Sequence, residues 1–305
     1  MFDKELFYNK LIKKMPGLNI KIDEPMKNHT SFQIGGPADI LVMPNDKEEL
    51  RNILAICSES NIIPYIIGNG TNLLVMDKGV RGIIIKIGNN FNNIEICGEK
   101  IIAHAGVPLI TLSYLAMEEG LTGLEFAGGI PGSVGGAVYM NAGAYGGEIR
   151  DVVTGAEVMD LNGNEKILTN DELMFGYRKS LLQGGDLIAT KIELQLRKGN
   201  YEEIRKRMDE LNNLRKKKQP LFMPSAGSTF KRPNGYYAGE LIEKAGLKGF
   251  RVRDAQVSEL HAGFIVNLGS ATAKDVIELI NVIQKEIKEK YGVDLVPEVR
   301  ILGEE

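Results

Sequence analysis

Two glycine clusters are the parts of this chain best able to bring bare backbone against a ligand. Gly68-Asn69-Gly70-Thr71-Asn72 follows a β-type run, Ile62 to Ile67. Glycines there allow a tight turn and let backbone N–H groups aim at an anion. The dinucleotide fingerprint of parallel α/β domains needs a third glycine and then a helix. Here position 73 is leucine and Leu73-Leu74-Val75-Met76 reads as extended, so that site is excluded; a GxxxxGK[ST] phosphate loop is also absent from the sequence. The second cluster, Gly128-Gly129-Ile130-Pro131-Gly132-Ser133-Val134-Gly135-Gly136, leads into Asn141-Ala142-Gly143-Ala144-Tyr145-Gly146. A pyrophosphate dinucleotide fits two such clusters, one cradling phosphates and the other approaching a flat ring. The alternative from the residues alone is a set of structural turns at bulges or barrel corners.

Other side chains capable of chemistry each carry a plainer reading. Arg178 could grip a carboxylate with two parallel bonds, or form a surface ion pair. Tyr177 beside it could contact a substrate or pack a strand edge. Ser228, in a loop after two prolines, is by itself a turn residue. Glu298 could pair with Arg300. Arg215, Lys216, Lys217 and Lys218 read first as cations complementing a helix C-terminus. His29, His104 and His261 are too scattered for a metal site and no acidic cluster joins them, so no metal is expected.

The composition narrows the function classes. Among 305 residues, 37 lysines and arginines balance 40 aspartates and glutamates for a net charge of −3, which gives no support for nucleic-acid binding. The length suits two domains or one large one. Two cysteines cannot form a disulfide framework and fit a reducing cytosol. The 35 glycines are the unusual feature, and tryptophan is absent. The opening MFDKELFYNKLIKKM is amphipathic rather than signal-like, and no apolar run approaches membrane-spanning length. A cytoplasmic protein is expected.

Elements can be placed around these residues. A helix is predicted from Asp46 to Ser60, with a capping box of Asp46 and Glu49 and an apolar stripe of Leu50, Ile53, Leu54 and Cys57. Cys57 is therefore read as a buried thiol, and Cys97, ending the run Ile94 to Cys97, as structural too. Strands are predicted at Ile83–Ile87, Ile101–Ala105, Val152–Leu161, Leu187–Leu196, Gly263–Leu268 and Val293–Leu302, with Asn162-Gly163 as a hairpin turn. Helices are predicted from Pro108 to Gly120, from Tyr201 to Lys217 with Ile204, Met208 and Leu211 on one face, and from Thr272 to Tyr291 behind a Thr272–Asp275 capping box. Ten glycines in the 28 residues from Gly120 to Gly147 preclude a long helix there.

The order and spelling of the motifs resemble those of the UDP-N-acetylenolpyruvoylglucosamine reductase family. The resemblance runs from about Asn28 to Leu302. It rests on Asn28-His29-Thr30-Ser31-Phe32-Gln33-Ile34-Gly35-Gly36-Pro37-Ala38-Asp39, the two glycine loops, Gly176-Tyr177-Arg178-Lys179-Ser180, Ala226-Gly227-Ser228-Thr229-Phe230-Lys231 and Pro297-Glu298-Val299-Arg300. Six ordered motifs over most of the chain are specific where any one would not be.

The resemblance implies an α+β fold. A two-subdomain FAD-binding domain of the vanillyl-alcohol-oxidase (PCMH) type would occupy residues 1–198, split near 85–95, and an α/β substrate-binding domain residues 199–305. It implies NADPH-dependent reduction of UDP-N-acetylglucosamine enolpyruvate through non-covalent FAD, with no nucleic acid, membrane or obligate protein partner. The same fold could serve another FAD-dependent oxidoreductase acting on a sugar or alcohol, and a non-catalytic nucleotide sensor is a third reading. Arg178, Ser228 as proton donor and Glu298 would be the catalytic residues. Gly68, Asn69, Gly70, Thr71, Asn72, Gly128, Gly129, Pro131, Gly132, Ser133, Gly135, Gly136, Asn141, Gly143 and Ala144 would hold the cofactor. Tyr177, Lys218, Lys231, Arg232 and His261 would meet the substrate. Only six residues, Leu181 to Asp186, separate Ser180 from the next strand, which resembles the group of the family lacking a tyrosine-bearing loop.

Overall fold

The computed structural model describes residues 3–88 and 90–304. Met1, Phe2, Asn89 (within the expected 85–95 split) and Glu305 lie outside the described residues. The chain forms two compact units. One comprises Met1–Ile22, Ile40–Asn69 and Gly82–Arg215; the other comprises Asp23–Asp39, Gly70–Arg81 and Lys216–Glu305. Helix and sheet are mixed throughout, as an α+β fold requires.

The first unit centres on a five-stranded antiparallel sheet. Its order is Glu165–Thr169, Val153–Asp160, Leu187–Gln195, Lys100–His104 and Ile94–Cys97. Asn162 and Gly163, the latter at φ +84°, turn the first hairpin as predicted. Tyr65–Ile67 runs parallel to the Ile84–Lys86 stretch of its neighbour. Helix Lys47–Glu59 buries Leu50, Ile53, Leu54, Ile56 and Cys57 in the same apolar core as Ile101, Val158 and Ile192. Asp46 caps this helix by accepting from the Glu49 N–H at 2.8 Å, but the Glu49 carboxylate turns to the N–H of Asn45 rather than that of Asp46. The predicted box is thus displaced by one residue. Cys97 ends its strand as expected but is exposed, so the structural role assigned to it does not hold.

The second unit carries a four-stranded antiparallel sheet in the order Ser225–Ser228, Phe264–Asn267, Ala255–Val257 and Arg251–Val252. Helix Ala273–Tyr291 packs the predicted stripe of Val276, Leu279, Ile280, Ile283 and Ile287 into this unit's core. Its Thr272–Asp275 capping box is formed in both directions. Asp77 adds two further bonds, accepting from the N–H groups of Ala273 at 2.8 Å and Lys274 at 3.1 Å. The last strand is shorter than predicted: Arg300–Leu302 alone pairs, in parallel, with Leu73–Val75. Pro297 has no N–H to give a ladder, and only a single bridge joins it to Phe230.

Candidate active site

In the first unit the start of the first glycine loop, at Gly68, meets the second loop at Ser133. A Cβ built on Gly68 would lie 2.8 Å from the Ser133 hydroxyl oxygen, so Gly68 is glycine because Ser133 crosses it. Ser133 caps the short helix Val134–Met140, accepting from the Gly136 N–H at 3.3 Å. The next amides are spent inside the fold: Val134 donates to Val107 and Gly135 to Ala105, each at 2.8 Å. Gly135 also has no room for a side chain, since its Cβ would stand 2.8 Å from that of Ala105. Packing explains Gly143 as well, whose Cβ would meet the Gly147 carbonyl oxygen at 2.6 Å, whereas those of Gly128 and Gly129 would meet only the side-chain ends of Met208 and Asn212, at 2.8 Å. The bland reading therefore accounts for part of the second cluster.

A different set of amides remains available. Among the described residues the N–H groups of Gly68, Asn69, Gly132 and Ser133, all in the first unit, meet no acceptor within the chain. Gly70, at φ +67°, and Gly132, at φ +124°, adopt backbone that L side chains rarely adopt. This donor set is what a pyrophosphate requires, and the residues present fit FAD on that ground. Pro131 is exposed between the two parts of the second loop.

Arg178 belongs to the first unit and sits at φ +53°, an uncommon region for a non-glycine residue. Its Nη2 donates to the Gly143 carbonyl at 2.9 Å and its Nη1 to that of Asn141 at 3.4 Å. Its guanidinium carbon lies 5.2 Å from the ring centre of Tyr177, which is itself exposed. Asn141 is fully buried in the left-handed conformation, and its amide is consumed within the fold. Its Nδ2 donates to Glu148 and to the Gly176 carbonyl at 3.0 Å each, and its Oδ1 accepts from Arg150. Asn141 therefore anchors the segment bearing Arg178, and its side-chain amide is not offered to a cofactor. Ala144 pairs with Gly147 in the same loop.

In the second unit, Ser228 and Glu298 come together from distant parts of the sequence. The Ser225–Ser228 strand bulges at Ala226-Gly227, with Gly227 at φ +77°, and the shift leaves Ser228 exposed. The carbonyl of the next residue, Thr229, accepts the Glu298 N–H at 2.8 Å. Asn72 donates its amide to the Glu298 carbonyl at 3.1 Å, and the Asn72 carbonyl accepts from Arg300 at 3.0 Å. Ser31 completes the cluster, as its hydroxyl donates to the Ser225 carbonyl at 2.7 Å and its N–H to that of Gly70 at 3.1 Å. A Cβ on Gly70 would lie 2.0 Å from the His29 carbonyl oxygen. The Asn28–Ser31 motif thus buttresses Gly70-Thr71-Asn72, a role that its short polar residues alone did not disclose.

The expected substrate residues are more dispersed. Lys218 ends its helix exposed, Lys231 is half-buried with its N–H on the Val296 carbonyl, and Arg232 stacks 4.6 Å from the ring centre of Tyr237. His261 is partly buried and packed by its neighbours. Its Nδ1 accepts from Gly263 at 3.1 Å, its ring meets Phe264 edge-on at 5.0 Å, and burial holds its pKa below the usual value.

Arg215 was read only as part of a basic helix end, yet it is the buried cation of the run at 8% exposure. Its Nη1 donates to the Gly129 carbonyl, and the Tyr145 hydroxyl also hydrogen-bonds it. Burial pulls its pKa below the arginine norm and Tyr145 opposes that shift. Its spacing of four residues from Leu211 was the available signal. No described group of histidine, cysteine, aspartate and glutamate could hold a metal ion, and no described helix is long and apolar enough to cross a membrane.

Comparison with known proteins gives concordant matches. Residues 38–169 match the model of an FAD binding domain, and residues 219–302 match that of the C-terminal domain of UDP-N-acetylenolpyruvoylglucosamine reductase. A reductase of that name from Caldanaerobacter subterraneus subsp. tengcongensis is 53% identical over 300 residues, covering 98% of this chain and 99% of the relative. The corresponding Clostridioides difficile protein is 50% identical over 305 residues, covering all of both chains. The crystal structure of the Thermus caldophilus enzyme superposes with a TM-score of 0.80 at 38% identity, covering 93% of this chain and 98% of that one.

Proposed function

The chain belongs to the UDP-N-acetylenolpyruvoylglucosamine reductase family, and from that premise we propose that Arg178, Ser228 and Glu298 act on the substrate while the two glycine loops hold the flavin. The protein is an FAD-dependent oxidoreductase that reduces UDP-N-acetylenolpyruvoylglucosamine in the synthesis of peptidoglycan precursors. When bound, FAD supplies the hydride that adds to the β-carbon of the enolpyruvyl double bond. Negative charge then develops at the α-carbon and in its carboxylate. Arg178 is the cation that receives that charge, already oriented by two carbonyl oxygens. The Ser228 hydroxyl delivers the proton to the α-carbon, and Glu298 orients it and shares the proton. Residues 1–198 serve the flavin and residues 199–305 the substrate, whose phosphates meet Lys218, Lys231 and Arg232. NADPH is the reductant, and the cytoplasm is the compartment this chemistry implies.

The observation that carries this reading is the bond from the Glu298 N–H to the Thr229 carbonyl at 2.8 Å, which sets the acid candidate and its partner on adjoining stretches of one unit. An oxidase of alcohols or sugars has no need of that pair. The test is stopped-flow analysis of the yellow holoenzyme. Reduction of the flavin by NADPH, followed by reoxidation on adding the enolpyruvyl nucleotide and formation of the lactyl ether, is the expected result. Reoxidation by oxygen alone, with the nucleotide inert, would overturn it.

A further inference from the structure

Arg215 presents an unbalanced charge. It is buried at 8% exposure, and among the described residues no aspartate or glutamate lies within ion-pair distance of it. Its partners are neutral: the Gly129 carbonyl and the Tyr145 hydroxyl. A guanidinium has five N–H donors, and two neutral acceptors leave its charge uncompensated. Burying a cation without a counter-charge is costly, and a fold that needed only a brace between helix and loop could use a neutral side chain. The surroundings also favour an anion. Gly129 lies three residues before Gly132, and the amides of Gly132 and Ser133 are among those that meet no acceptor. Tyr145, at φ +53°, lies in the loop whose Gly143 carbonyl orients Arg178.

We propose that Arg215 is a binding residue of this enzyme, a fixed guanidinium that receives an anionic oxygen, carboxylate or phosphate, from one of the reaction's own ligands. The ligands carry two such sources, the flavin pyrophosphate and the carboxylate and phosphates of the enolpyruvyl nucleotide. Gly129 and Tyr145 keep the guanidinium fork aimed, so that little ordering is left when the anion arrives. The inference rests on the reductase reading for the identity of those ligands. Wild-type protein that binds FAD and turns over substrate secures that reading independently.

The experiment compares Arg215→Met and Arg215→Lys with wild type in three measurements. FAD release from each holoenzyme is followed by flavin fluorescence on dilution. Enolpyruvyl nucleotide binding to the oxidised holoenzyme is followed by perturbation of flavin absorbance. Unfolding of the flavin-stripped proteins is followed in urea. Losing one charge-assisted contact should weaken one ligand by about ten- to a hundredfold in Arg215→Met, with part of the loss restored by Arg215→Lys. The flavin-stripped Arg215→Met protein should be as stable as wild type or more so, because an uncompensated charge has been removed. Faster FAD release assigns the anion to the pyrophosphate, and weakened nucleotide binding with normal FAD release assigns it to the substrate. Unchanged affinity for both ligands overturns the proposal. So does a fall in the stability of both stripped variants with no recovery of binding in Arg215→Lys, since Arg215 would then be a brace. If Arg215→Met does not fold, Arg215→Lys and Tyr145→Phe decide: normal affinity for both ligands in both variants overturns it equally.

Discussion

The Nη2 of Arg178 donates to the carbonyl oxygen of Gly143 at 2.9 Å while the Arg178 backbone stands at φ +53°. This carbonyl oxygen and that of Asn141 fix the direction of the guanidinium. The strained backbone is held from beneath by Asn141, whose amide binds the carbonyl of Gly176. Arg178→Ala should therefore slow flavin reoxidation by the enolpyruvyl nucleotide by about 10²–10³-fold, the usual cost of removing one preorganised group that stabilises developing charge. Flavin reduction by NADPH should stay near wild type, because Arg178 acts on the substrate. Stopped-flow traces of the two half-reactions separate these outcomes, and equal slowing of both would place Arg178 in service of the flavin or the fold.

The helices were legible because burial follows period: the stripes of Lys47–Glu59 and Ala273–Tyr291 lie in the core as read. The last strand was overextended because Val293 to Leu302 has strand composition throughout, while pairing depends on a neighbour that only Arg300–Leu302 finds. The site divides in the same way. Glycines announce tight backbone, but composition cannot distinguish Gly135, pressed on Ala105, from Gly132, whose amide meets no acceptor. Arg215 was hidden for a related reason. In a run of four cations, the four-residue spacing from Leu211 was a weak pointer, and the tertiary contacts are what single out Arg215 as the buried one.

Gly70 and Gly146 make a controlled comparison. Both have left-handed backbone, at φ +67° and +90°. A Cβ on Gly70 meets the His29 carbonyl at 2.0 Å, whereas nothing lies within 4 Å of one on Gly146. Gly146→Ala should cost about 1–2 kcal/mol of stability from backbone strain alone and purify with its full complement of FAD. Gly70→Ala must also displace the Asn28–Ser31 segment and should purify depleted in flavin, read from the ratio of visible to ultraviolet absorbance. Gly132→Val tests the second loop in the same assay. Flavin content equal to wild type in both Gly70→Ala and Gly132→Val would reduce these loops to structural turns.

The two cysteines should report opposite environments. Cys57 is 2% exposed in the apolar core, and burial pushes its thiol up to about 12. Cys97 is exposed at a strand end. Thiolate is the reactive form, so iodoacetamide at pH 8 should modify Cys97 in the native protein and leave Cys57 untouched until denaturant is added. Mass spectrometry of the labelled peptides gives the result. Early modification of Cys57 would mean that helix Lys47–Glu59 opens far more readily than its packing implies.

Asp77 should contribute to stability rather than catalysis. Its carboxylate accepts two N–H groups at the start of helix Ala273–Tyr291, beside a capping box that is already complete. Asp77→Ala leaves those two groups to water, which typically costs about 0.5–2 kcal/mol for a lost cap. The midpoint of urea unfolding should fall accordingly. Flavin content and both half-reactions should be retained at temperatures where the variant is folded.

Ser228 carries the sharpest test because a hydroxyl is a poor acid unless its surroundings make it one. The bulge at Ala226-Gly227 leaves Ser228 exposed, and the Thr229 carbonyl holds the Glu298 backbone alongside. Ser228→Ala removes the proton and little volume, so folding and yellow colour should persist. No substrate carbon is protonated while NADPH reduces the flavin, and that step should run normally. Reoxidation by the enolpyruvyl nucleotide should slow by about 10²–10⁴-fold, the range for losing a positioned general acid. Ser228→Cys should recover part of the rate, since a thiol of similar size also donates a proton. Glu298→Gln keeps the backbone bond to Thr229 but loses the carboxylate, so it too should slow reoxidation alone. Wild-type reoxidation in Ser228→Ala together with a defect in Glu298→Gln would transfer the acid role to Glu298, and wild-type rates in both would leave water as the proton source.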